Sequence, residues 1–230
     1  MNFFKLVFVI VLSIVILLSI FLVYTDSEKT KVKEVKINCN VSRSDKFLFT
    51  SISNLLEGEN IFLLDKITVE ERIKLFSKDI KDVNVIIYPP NSVYVNLVFR
   101  EPILKVFLGN SYIVYDEELK EVVNYDKNSF ERAITLIPKR SVKKEFLQDI
   151  INSVKNLDYE IRYSKYFPDV FILDKDGIYA FNSTYKINIY FGYSIDESKV
   201  KKAFLSTRYI IQKKLPVRYI DARFDNIIAN

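Results

Sequence analysis

Four carboxylates stand in two close pairs that could move protons, Asp116 with Glu117 and Asp174 with Asp176. Acid–base catalysis needs two such groups facing one cleft at a set separation, and nothing in the surrounding residues makes these pairs converge. Other reactive chemistry is excluded by composition. The chain has no histidine, which removes the Ser-His-Asp and Cys-His relays and the imidazole metal ligand together. Its one cysteine, Cys39, has no partner for an internal disulfide and reads as a small core filler. Four glycines, at 58, 109, 177 and 192, are too sparse for a phosphate-cradling GxxxxGK or GxGxxG loop. No enzyme, cofactor or metal is therefore expected.

What remains is binding. The net charge of +5 and pI near 9.0 come from basic residues interleaved with acidic ones, so solvated faces are expected and nucleic acid is not. In 230 residues with 14% aromatics there is material for one to three modest units with cores of their own.

The first element is apolar. Over residues 1–24 only Asn2, Lys5, Ser13 and Ser19 fall outside the apolar set, and residues 6–24, as a helix, span roughly 28 Å. A cleaved signal peptide has a shorter apolar stretch and a small-residue cleavage site, whereas Phe21, Leu22, Val23 and Tyr24 run straight into Thr25 and Asp26. The expectation is a 1–5 cytoplasmic stub, a single-pass transmembrane helix over 6–24 and a polar linker over 25–31. Lys5 alone precedes the helix while Lys29, Lys31, Lys33 and Lys36 follow it, so a count of positive residues argues for the bulk inside. Long domains translocate largely regardless of that count, and the N-terminus is placed in the cytoplasm.

Beyond the linker the pattern alternates between strand and helix. Val32, Val35 and Ile37 read as a strand. Leu48, Ile52 and Leu55 share a helix face that Ser42 or Ser44 caps and Gly58 closes. Thr68 and Glu71 form a capping box for a second helix with Val69, Ile73, Phe76 and Ile80 on one side. Strands at 83–88 and 92–99 flank Pro89-Pro90-Asn91 as a hairpin. The order is β-α-α-β-β.

After Pro102, which cannot donate to a ladder and so ends the preceding strand, the chain is strand-rich. A hairpin is expected over 103–115 around Gly109-Asn110, extended at 119–123. A strand at 134–137 and a helix at 142–154 follow, then strands at 159–163, 170–173, 178–182 and 186–191. Ser194 and Glu197 make a second capping box before a helix carrying Val200, Phe204, Thr207 and Ile211, and strands close the chain at 218–224 and 225–229. The fold class is α+β, with a second mixed domain.

These residues resemble a known family. Val35-x-Ile37, then Glu59-Asn60-Ile61-Phe62-x-Leu64-Asp65, then Val83-x-Val85-x-x-x-x-Pro90-x-Ser92-Val93-x-Val95-x-Leu97, and Phe99-Arg100-Glu101-Pro102 look like the POTRA domain of FtsQ, also called DivIB. Near the end, Ile189-Tyr190-Phe191-Gly192 and Tyr219-Ile220-Asp221-Ala222-Arg223-Phe224-Asp225 resemble that family's closing segment. Three departures stand out. Asn38-Cys39-Asn40 lacks the glycine usual before the asparagine, the turn at Asp116 has Leu119 or Lys120 in place of a glycine, and Phe224 replaces a tyrosine.

The resemblance implies a POTRA domain over 32–100 and an FtsQ-type β domain over 101–230, both extracytoplasmic, on a bitopic inner-membrane protein at the division septum. It implies a divisome scaffold without catalysis or cofactor, which binds FtsB-like and FtsL-like membrane proteins and links them to the septal peptidoglycan synthase complex. Arg223 and Phe224 are the positions that the family uses for its FtsB-like partner, with Asp225 beside them. Arginine and an aromatic suit a partner carboxylate and a buried anchor, and an unpaired edge in the last strands would admit a partner strand. A plainer reading of the same residues is an exposed Asp221–Arg223 ion pair worth 0 to about 1 kcal/mol. The alternative function is another POTRA-bearing membrane assembly or translocation component, although no repeat and no barrel-length strand array is present.

Overall fold

The computed structural model describes residues 3–25, 28–40, 45–223 and 228–229. The chain divides into two units, 1–99 and 100–230, and each has its own buried cluster.

Helix α1 covers Phe3–Thr25, with Ser13 and Ser19 donating their hydroxyls back to the carbonyls of Val9 and Val15. Here the expected α+β architecture with a membrane-crossing N-terminal helix over 6–24 is corrected. Among the described residues no helix is long and apolar enough to cross a membrane.

The rest of the first unit follows the order β1 (Glu34–Cys39), α2 (Lys46–Leu56), α3 (Lys66–Lys74), β2 (Ile80–Tyr88) and β3 (Ser92–Phe99). The sheet order is β1-β3-β2, with β1 parallel and β2 antiparallel to the central strand. Central β3 alternates strictly, burying Val93, Val95, Leu97 and Phe99 with Val83 and Val85 of β2 and with Leu48, Ile52, Leu56, Val69 and Ile73 of the helices. The cap of α3 is Asp65 rather than Thr68. Its carboxylate accepts from the Thr68 amide at 3.2 Å and from the Thr68 hydroxyl, so the expected capping residue is already in the first turn. Asp45 caps α2 in the same way, and the expected caps Ser42 and Ser44 lie outside the described residues. Asn40 bonds both backbone groups of Phe99 through its side-chain amide, extending the β1–β3 pairing by one step. Cys39 is half-buried against this core.

Two side chains of α3 cover the outer side of β2. Glu70 accepts the Val85 amide at 2.8 Å, and Lys66 donates to the side chain of Asn84 at 3.0 Å.

The second unit contains β4 (Leu104–Phe107), β5 (Tyr112–Tyr115), α4 (Lys127–Arg132), β6 (Ile134–Pro138), α5 (Lys144–Lys155), α6 (Tyr159–Arg162), β7 (Val170–Asp174), β8 (Gly177–Asn182), β9 (Ile187–Gly192), α7 (Glu197–Gln212), β10 (Tyr219–Asp221) and β11 (Ile228–Ala229). Their eight strands form one sheet in the order β11-β10-β9-β8-β7-β6-β4-β5. A single row of buried side chains crosses six of them in register, Val106–Leu136–Phe171–Ala180–Ile189–Ile220. Helix α5 adds Ile150, Ile151 and Val154, and α7 adds Val200, Ala203 and Ile210.

Two local expectations are corrected in this unit. Residues 159–163 form a helical turn, not a strand. The Asp158 carbonyl accepts the amides of Ile161 and Arg162, and Tyr159 and Tyr163, four apart, bring their rings to 4.4 Å, the contact a helix creates between such positions. The cap of α7 is Asp196, which accepts from the Lys199 amide at 2.8 Å, while Ser194 takes the Lys199 ammonium instead.

The turn after β5 dispenses with glycine. Leu119 adopts φ 56°, a left-handed conformation that usually selects glycine, while its side chain is buried in the core. Asp116, also buried, accepts the amides of Glu118 and Lys120 at 2.9 and 2.8 Å and pairs with the Arg100 guanidinium. Removing one member of a buried pair of this kind costs about 3–5 kcal/mol.

Candidate functional site

The closing strands build a patch of aromatic and charged side chains on one face of the eight-stranded sheet. Because side chains alternate along a strand, the residues that flank the buried row point the other way. Tyr179, Tyr190 and Asp221 stand opposite one another on β8, β9 and β10, and Tyr219 shares their face two residues before Asp221. The rings of Tyr179 and Tyr190 lie 4.7 Å apart, and the Tyr190 hydroxyl donates to the Asp176 carbonyl at 2.6 Å.

Arg223 folds over this patch. Its Nε donates to both oxygens of Asp221 at 3.0 and 3.1 Å, its Nη2 to Oδ2 at 2.7 Å, and its backbone amide to Oδ1 at 3.1 Å. The guanidinium stands 5.1 Å from the Tyr190 ring centre, within the range of a cation–π contact. The side-chain bond from Arg223 holds the Asp221 carboxyl below its ordinary value, and the same bond raises Arg223. Half of the Arg223 side chain remains exposed, while Asp221 is nearly covered.

Two glycines give the patch room. A Cβ on Gly192 (φ 78°) would come within 3.1 Å of the Arg223 stem. On Gly177 (φ 132°) it would collide with the Gly192 carbonyl at 2.5 Å. Both positions combine left-handed backbone with close approach, the circumstance in which glycine has no substitute.

Of the three residues expected to grip a partner, Arg223 is described, and Phe224 and Asp225 lie outside the described residues. Arg223 is brought together with Asp221, two residues before it at the end of β10, rather than held away from acidic groups. The strand expected over 218–224 is paired on both sides where it is described, parallel to β9 and antiparallel to β11. The edge position belongs to β11, which covers two residues. Tyr179, Tyr190 and Tyr219 were not among the expected site residues, although the alternation Ile187-x-Ile189-x-Phe191 already assigns Tyr190 to the opposite face.

The acidic pairs do not assemble a proton-transfer site. Asp116 is taken up by its turn and Arg100, and Asp174 binds Lys139 at 2.8 Å. Among the described residues no group of three or more acidic or cysteine side chains could hold a metal ion. No protein-family model matches the chain, and no curated protein matches it.

Proposed function

We propose that this protein is a scaffold of bacterial cell division of the FtsQ/DivIB kind, acting by binding rather than catalysis. Its extracytoplasmic units gather FtsB-like and FtsL-like membrane proteins at the septum and connect them to septal peptidoglycan synthesis. The ordered set of motif resemblances, from Val35 to Asp225, is the sequence support for this reading. The structural observation that carries it is the two-residue strand β11 at the edge of the large sheet, on the sheet whose open face bears Tyr179, Tyr190, Asp221 and Arg223. A strand at a sheet edge has outward backbone groups to which a partner strand can add, and tyrosine and arginine are the residue types that dominate interface energetics.

The test is a fluorescent fusion in dividing cells, with depletion scored for filaments. Midcell bands and filamentation are expected, and a uniform signal with normal septation overturns the proposal. At the patch itself, Arg223→Glu brings two carboxylates together at Asp221 and removes the cation from Tyr190. It should weaken capture of the FtsB-like partner by tenfold or more, a change of about 1.4 kcal/mol or greater, and unchanged capture moves the interface elsewhere.

A further inference from the structure

A cleft apart from the closing strands lies where α4 runs into β6 and α6 follows α5. Its volume is about 470 Å³, within the usual range for ligand pockets. Arg132, Arg162, Tyr159, Tyr163 and Phe167 line it, together with Glu131 and Asp169. Two guanidinium groups approach the Tyr163 ring centre, that of Arg132 at 5.5 Å and that of Arg162 at 5.3 Å.

The charges in this cleft are unevenly matched. Asp169 accepts from the amide and hydroxyl of Ser183 at 2.8 and 2.6 Å, and Glu131 pairs with Lys127 at 3.7 Å. Among the described residues neither Arg132 nor Arg162 has a carboxylate within ion-pair distance, and Arg162 Nε is buried with no hydrogen-bond partner. Two guanidinium groups on one ring, one with an unsatisfied buried donor, call for an oxygen-rich anion.

We propose that this cleft binds an acidic peptide segment of a partner protein, with a carboxylate side chain held by Arg132 and Arg162 and its backbone laid against Tyr159, Tyr163 and Phe167. The two acidic residues at the cleft select this class over a phosphate. Their remaining lone pairs can accept the amide N–H groups that a peptide brings and a phosphate lacks. The site involves neither Arg223 nor β10, and it stands whether or not the division reading does.

The test uses the full-length chain and a fluorescein-labelled, end-blocked peptide of four glutamates, followed by anisotropy. Saturable binding is expected, with the four-glutamine peptide and inorganic phosphate as competitors that fail to displace it. Arg132→Gln and Arg162→Gln should each weaken binding about tenfold, the usual loss for a charge-assisted hydrogen bond. Arg162→Lys should fail to restore it, because the flat two-pronged donor is lost. Thermal melts of each variant separate loss of binding from loss of fold. Absence of saturable binding, indifference to both arginine substitutions, or equal competition by glutamine peptide or phosphate overturns the proposal.

Discussion

Asp221 shows how one side chain ties the chain's chemistry to its stability. Because Arg223 keeps its carboxyl below the ordinary value, the folded chain holds Asp221 ionised at acidities where the unfolded chain binds a proton. The stabilisation is complete above the unfolded value and is lost as pH falls through the folded one, below about pH 4. Asp221→Asn should therefore lower the melting temperature near neutrality and converge on the parent as the solution is acidified. A constant gap across that range would mean the charge contributes nothing. The effect is small, since Arg223 faces water and solvent screens the pair.

At the scale of elements, the aspartate caps account for where the helices begin. Asp196→Ala removes the acceptor for the Lys199 amide and should cost about 1 kcal/mol, seen as a lower denaturant midpoint with unchanged slope. The capping signals in the sequence misplace this boundary by two residues, because Ser194-x-x-Glu197 and Asp196-x-x-Lys199 overlap and only the local backbone decides between them. The strands of the hairpin and the buried face of β3 were legible because strict alternation has one reading. Residues 159–163 were not, since Tyr159, Ile161 and Tyr163 fit a strand by alternation while Tyr159 and Tyr163 fit a helix by their spacing of four. The turn near Asp116, where a glycine is absent, was not legible for a different reason. Whether a leucine tolerates left-handed backbone depends on what its side chain buries, and that is settled by residues distant in sequence. The contacts that Arg223 makes within the fold, to Asp221 and the Tyr190 ring, were likewise only partly legible, since Tyr190 lies on another strand.

The molecule as a whole has two cores, and each can be weakened by itself. Ile52 is fully buried in the first cluster and Phe171 in the second. Ile52→Ala should cost about 2–5 kcal/mol and Phe171→Ala about 3–5 kcal/mol. Hydrogen exchange should quicken first in β1–β3 for the former and first in β6–β9 for the latter. Simultaneous loss of protection everywhere in both variants would show a single cooperative block instead. The contrast matters for the sheet row from Val106 to Ile220, since a cavity at Phe171 opens at its middle and disturbs strands on either side.

Glu70 has a wider meaning than one hydrogen bond. By occupying the Val85 amide it removes one outward donor from β2, which makes addition of a further strand less favourable at that point. Growth by strand addition is thus discouraged on that flank of the smaller sheet.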